Sequence, residues 1–305
     1  MPIRQVEMDD NLRIWRSFSI GSLFDLMMLD TRQYDRSITD LYWNTDYIHS
    51  ISDDAGRTMM GSRQENWFYN QLSASSSRGA AWRIIGSQTV FARVNQSAIY
   101  GNMNPYNFDQ WDGYQANRNR TLQHLHQNNI SNNVVISGDS HANWVSDLVV
   151  DYGDESSFIG VEFAGTAVTS PTPAGENNIP DANRESDWFN AHNAELQWNE
   201  MLYRGYFELQ IERDELRALF FGLPTILDRN PYEVPLANFT VRKDENKLAR
   251  PVAGGVAESG SLKDGKVALE YLTNDTATGE WFVSQPRVEV SFRNSSLFCN
   301  STGSC

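Results

Sequence analysis

The sequence predicts an α/β fold with a strand-rich carboxyl-terminal half. Three observations carry that reading. Short β-branched runs alternate with segments of helical periodicity over the earlier part of the chain. One such run, Asn133–Ser137, ends at Gly138 and leads into a further periodic segment, which is strand, turn, helix. From Tyr203 onward, strand patterns dominate. The composition suits a packed protein: 305 residues, 40% hydrophobic and 21% charged, ample for a buried core in one domain.

Taken in order, Ser17–Asp30 alternates and then turns apolar, as a hairpin running into a buried strand does. Ser62-Arg63-Gln64-Glu65 has the form of a capping box and predicts a helix to about Leu72, with Trp67, Phe68 and Leu72 on one face. Ala81–Ile85 and Val90–Val94 read as strands, and Tyr114–Gln127 as a helix with Leu122 and Leu125 inward. Asn133–Ser137 is a strand, Asn143–Val150 a helix, and Ile159–Ala164 a strand. Ser170–Pro180 is a Pro/Gly/Asn loop. Strands follow at Tyr206–Ile211, Val267–Leu272 and Trp281–Phe292, while the polar, Gly-rich stretch Asp244–Gly265 reads as an exposed excursion and 293–305 as a tail.

Charge excludes some functions. With 25 Lys and Arg against 39 Asp and Glu, the net charge is −14, and no basic run offers a surface for nucleic acid or anionic lipid. Leu216–Leu227, the longest nearly apolar stretch, is far short of the roughly 20 residues of a membrane span and holds Arg217 and Pro224. The amino terminus has no apolar h-region. Glycosylation sequons begin at Asn95, Asn119, Asn129, Asn238, Asn274, Asn294 and Asn300, and their number points to a secreted glycoprotein. Cys299 and Cys305 sit close enough to close a small disulfide loop; idle thiols in a frayed tail are the alternative.

The chemistry concentrates at Ser137-Gly138-Asp139-Ser140-His141. A buried strand ends in Gly, and a carboxylate and an imidazole emerge two residues apart, where α/β folds place ligands. Asp is a hard oxygen donor and His a borderline nitrogen donor, so the pair suits a mixed metal centre. An Asp capping the next helix beside a core His is the plainer reading. Gly138-Asp139-Ser140 also permits a serine esterase using Ser140, although Asp46-x-x-His49 lies upstream of it. Arg32, just past the apolar strand, can grip a phosphoryl group or pair with Asp30 or Asp35. His192 belongs to a turn-like segment that faces either a cleft or solvent. His124 and His126 fall on opposite helix faces and cannot share an ion. Trp111-Asp112-Gly113-Tyr114 reads as aromatic core packing.

Together these segments resemble the PhoD-like phosphatases, the alkaline phosphatase D group of the calcineurin-type metallophosphoesterases. The matching residues are Leu29-Asp30-Thr31-Arg32-Gln33-Tyr34, Arg57-Thr58-Met59-Met60-Gly61, Gln64-Glu65-Asn66-Trp67, Trp111-Asp112-Gly113-Tyr114 with Arg118, Val134 to His141, Val161-Glu162-Phe163, Thr169-Ser170-Pro171, Asn190, His192 and Arg204-Gly205-Tyr206. The resemblance implies a two-sheet αββα sandwich, a centre of iron together with calcium at the sheet ends, and hydrolysis of phosphate mono- and diesters. It implies Asp139 and His141 as metal ligands, the carboxylate suiting calcium and the imidazole leaning to iron, with Arg32 as a phosphate clamp and His192 as an outer-sphere acid.

The family's other ligands are a Cys on an early strand, a Gly-Asp-x-x-Tyr motif and an Asp-Asp-His-Glu followed by Asn. None is in this sequence: the only cysteines are Cys299 and Cys305, and Gly153-Asp154 lacks the Tyr. The chain therefore resembles the carboxyl-terminal two-thirds of such an enzyme, and the expectation is a single truncated domain over 1–305 with little phosphatase activity by itself. The full-length form is expected outside the cell or in its wall.

Overall fold

The structure is a computed structural model that describes residues 9–10, 12–102, 105–138, 140–150, 157–172, 179–226, 229, 231–267, 272–274, 277 and 281–283. The chain begins with a hairpin, β1 (Arg16–Ile20) and β2 (Phe24–Met28), followed by α1 (Thr45–Ile51), α2 (Gly61–Ser77), β3 (Trp82–Gly86) and the short α3 (Ser97–Tyr100). A 3-10 turn at Trp111–Tyr114 leads into α4 (Gln115–Gln127), then β4 (Asn133–Ser137), β5 (Asn143–Val150), β6 (Ser157–Ala164), α5 (Ile179–His192) and β7 (Leu196–Glu200). A meander follows, β8 (Gly205–Ile211), β9 (Glu215–Gly222) and β10 (Val234–Arg242), and then the short strands β11 (Val256–Ala257), β12 (Ser261–Leu262), β13 (Lys266–Val267), β14 (Leu272–Asn274) and β15 (Trp281–Val283).

Eight strands make one mixed sheet in the order β1-β2-β3-β4-β6-β5-β7-β12. Within it β2, β3, β4 and β6 run parallel, so their carboxyl ends share one edge. The antiparallel sheet β10-β9-β8 packs against one face of this sheet. Side chains alternate between two cores because the strand period is two. Ile85, Val135, Trp144, Leu148 and Leu196 face the helices with Phe68, Leu72 and Phe189. Ile84, Val134, Val145, Phe163 and Trp198 face the smaller sheet with Phe220 and Phe239. Strands buried on both faces read as continuous apolar runs, which is why β3 and β4 are legible from sequence. The outer face of the small sheet is exposed at Arg217, Asn238 and Arg242, so a second helical layer is not among the described residues.

Several expectations change. Asn143–Val150 is a strand, not a helix: seven of its eight residues are buried and it pairs with both β6 and β7, leaving no solvent face for a helix to present. Val90–Val94 forms no strand, because its amides are bonded by distant carboxylates: Phe91 and Ala92 N–H donate to Glu162, and Arg93 N–H to Glu195. Helix α2 starts one residue before the predicted capping box, with no side-chain cap at Met60. Thr58 Oγ1 instead accepts from Gly61 N–H, and Glu65 is taken by Arg120 and Tyr69. The stretch 244–265 is not an exposed excursion. Leu248 N–H bonds the buried Asp147, Arg250 pairs with the same carboxylate, Val252 and Leu262 are buried, and β12 extends the large sheet. The strands expected at Val267–Leu272 and Trp281–Phe292 are described only at Lys266–Val267, Leu272–Asn274 and Trp281–Val283. Cys299, Cys305, Asn294 and Asn300 lie outside the described residues.

Candidate active site at the carboxyl edge of the sheet

The parallel strands deliver four chain segments to one edge, the place where open α/β sheets bind ligands. After β4 the chain leaves through Gly138, which is exposed and has open space where a Cβ would stand. Asp139 lies outside the described residues. Ser140 is fixed inward: its N–H donates to Gly165 O, and its hydroxyl faces the carbonyl oxygens of Ala142 at 2.6 Å and Gly165 at 3.2 Å. Its described partners are thus backbone carbonyls, not an imidazole, and a hydroxyl placed so is not an activated nucleophile.

His141 sits two residues before β5 with a left-handed backbone, φ 64°. That conformation costs an L-residue on the order of 1–2 kcal/mol, and such strain concentrates at functional sites. The residue is half-buried, and Nδ1 stands 2.8 Å from Pro171 O. A carbonyl only accepts, so Nδ1 carries the proton, and in the neutral ring Nε2 then keeps its lone pair. This is the arrangement of a metal-binding imidazole, whose second nitrogen donates to a carbonyl or carboxylate.

The loop is framed by buried polar residues that sequence reasoning did not single out as site residues. Asn143 Nδ2 donates to Glu200 Oε2 at 3.0 Å, and its Oδ1 accepts from Thr166 N–H at 3.0 Å. Glu200 also accepts the amides of Leu202 and Tyr203. Burial pushes its carboxyl up to about 7, against the pull of those three donors and the Arg204 charge. The available signal is a polar residue at the start of β5, Asn143, and one at the end of β7, Glu200.

Arg32 follows β2 at the same edge. Asp30 Oδ1 accepts the amides of Arg32 and Gln33, and Asp30 Oδ2 is buried without a hydrogen-bond partner among the described residues. The guanidinium pairs with Asp109 at 2.5 Å, rather than with Asp30 or Asp35 as expected. Burial would raise Asp109, but hydrogen bonds from Thr39 and Arg32 and the charges of Arg36 and Arg32 outweigh it and hold the carboxyl below the usual range.

His192 is not brought to this edge. Helix α5 runs antiparallel to β7: Asn183, near its start, accepts from Gly260 N–H beside Glu200, whereas Asn193 O, past its end, accepts from Lys263, whose amide bonds Gln197. His192 therefore lies at the remote end, stacked on Trp188 at 4.1 Å with Nδ1 on Trp188 O. His124 and His126 are kept apart as predicted; His124 stacks on Tyr69 at 4.5 Å. The 111–114 turn is wholly buried core, with Trp111 Nε1 donating to Ser87. Of the described sequons, Asn119, Asn129 and Asn238 are exposed, and Asn95 is half-buried.

Among the described residues no three His, Cys, Asp or Glu side chains gather into a metal site. One imidazole in the right tautomer fits a metal; a full donor set is not present among the described residues.

The family model described as PhoD-like phosphatase matches residues 1–220. The chain is 31% identical over 275 residues to the alkaline phosphatase D of Bacillus subtilis (strain 168), covering 87% of this chain and 44% of that protein. A solved structure of PhoD superposes with a TM-score of 0.68 at 29% identity, over 88% of this chain and 48% of that one. The chain thus spans about half the length of the relatives it matches. Its eight-stranded and three-stranded sheets match the PhoD architecture, its sequence matches over most of its length, and on those grounds the chain belongs to the PhoD-like phosphatase family.

Proposed function

We propose that this chain serves a metal-dependent hydrolysis of phosphate mono- and diesters of the alkaline phosphatase D type, with Asp139 and His141 as donors to the metal centre. The single observation that carries it is the half-buried His141 imidazole at the sheet edge, with Nδ1–H donated to Pro171 O. Iron with calcium is the pair that the family resemblance implies; in it carboxylate oxygen would suit the harder ion and imidazole the softer one. A centre held by Asp139 and His141 would supply Lewis-acid chemistry for phosphoester hydrolysis. The residues of this chain would hold and orient: Arg32 would exchange Asp109 for a phosphoryl oxygen, and the Asn143–Glu200 clamp would keep the loop from moving.

With a single described donor, the 305-residue chain should turn over far below the roughly 1–10³ s⁻¹ of ordinary enzymes. The test is hydrolysis of a chromogenic phosphodiester at alkaline pH with added iron and calcium. Turnover that chelators abolish, that vanishes in Asp139→Ala and His141→Ala, and that survives Ser140→Ala is expected. Turnover unchanged in a folded His141→Ala protein sinks the reading. Chelator-insensitive turnover lost in Ser140→Ala would instead reveal a serine esterase. No effect of Asp139→Ala and His141→Ala on metal binding or turnover would point to a secreted binding glycoprotein.

A further inference from the structure

We propose that Arg204 is a positioning residue that holds His141 in its Nδ1–H tautomer, acting through Ser170 and Pro171. The inference rests on reading His141 as a metal donor. Arg204 is 5% exposed, and both of its terminal nitrogens donate to backbone carbonyls: Nη1 to Ser170 O at 2.6 Å, and Nη2 to Met201 O at 3.3 Å and Leu202 O at 3.2 Å. The Ser170 carbonyl belongs to the planar peptide that precedes Pro171. Fixing that oxygen fixes the plane, and the proline ring fixes the next torsion. The direction of Pro171 O then depends on one remaining angle, and that oxygen is the acceptor for His141 Nδ1–H at 2.8 Å.

The stretch needs such an anchor. Val168, Thr169 and Pro171 are exposed, so packing does not hold the acceptor in place. Gly205, the neighbour of Arg204, pins the start of the stretch through its N–H to Ala167 O. On the other side, the backbone carrying His141 is held by Ser140 N–H to Gly165 O and by Asn143 between Thr166 and Glu200. Residues of one short segment, Glu200 to Gly205, thus reach both the loop of the donor and the stretch of the acceptor. Losing Arg204 frees the carbonyl, and the imidazole proton can move to Nε2, which removes the lone pair a cation needs.

Long-range proton–nitrogen NMR of the imidazoles in the full chain, without metal or substrate and at alkaline pH, tests this. Wild type should show His141 protonated on Nδ1. Arg204→Lys, which keeps one donor for Ser170 O, should retain that form, and Arg204→Met should lose it in favour of Nε2–H with circular dichroism unchanged. Should Arg204→Met not fold, Arg204→Gln replaces it and must show both tautomers. An undiminished Nδ1–H form in the folded Met or Gln variant, or an Nε2–H His141 in wild type, overturns the proposal. Because the tautomer is read in the metal-free protein, a failed phosphoesterase assay leaves this result standing, and the reverse also holds.

Discussion

Arg118 and Glu195 meet in the core between sheet and helices, Nη2 2.9 Å from Oε2, with each side chain 2% exposed. The same carboxylate accepts Arg93 N–H, and Arg118 Nε donates to Phe91 O, so the pair also fastens the segment after β3. Removing one partner strands the other charge in the core. Glu195→Ala should cost about 3–5 kcal/mol, read as a lower denaturant midpoint; an unmoved midpoint would show the pair idle.

Glu162 makes stability depend on pH. Burial pushes its carboxyl up to about 7 from an ordinary 4.5, against the amides of Phe91 and Ala92, the Ser137 hydroxyl and the Arg118 charge. The folded protein keeps this proton where the unfolded chain has lost it. Over that window the unfolded state binds fewer protons, so this group's contribution is full below about 4.5 and declines as pH rises toward 7. Midpoints measured across the window should fall with a steeper slope in wild type than in Glu162→Gln. Equal slopes would show that Glu162 is ionised throughout.

Gly113 lies so close to Phe108 that an added Cβ would stand 2.0 Å from its carbonyl oxygen. Backbone cannot yield as a flexible side chain does. Gly113→Ala should therefore lower stability by about 1–3 kcal/mol, seen as a drop in the thermal midpoint, with no drop if the 108–113 turn opens freely.

Ser140→Ala removes a hydroxyl that faces the Ala142 and Gly165 carbonyls. We expect a stability loss of about 1 kcal/mol with phosphoester turnover and chelator sensitivity retained. Loss of turnover with intact fold would place the serine in the chemistry.

The fold was legible where one local pattern had one meaning. The run Asn133–Ser137 could only be a strand, and it pointed to Gly138 and His141. β5 is ambiguous locally because Trp144, Val145, Leu148 and Val149 fit helical spacing as well as a strand buried on both faces. Val90–Val94 has strand-like residues, but Glu162 and Glu195, far along the chain, take its amides. The same distance hid the site's frame. Arg32 finds Asp109, His141 finds Pro171, and Asn143 finds Glu200, each through the tertiary fold. Family likeness marked Arg204 without giving its role, which depends on where the Ser170 carbonyl points.

The most direct test of the central claim is a titration with manganous ion, following the ring resonances of the five histidines. The account predicts that His141 broadens first and that His141→Ala removes this early response while His49, His124, His126 and His192 stay sharp. Broadening that spares His141, or that falls equally on all five rings, would contradict it.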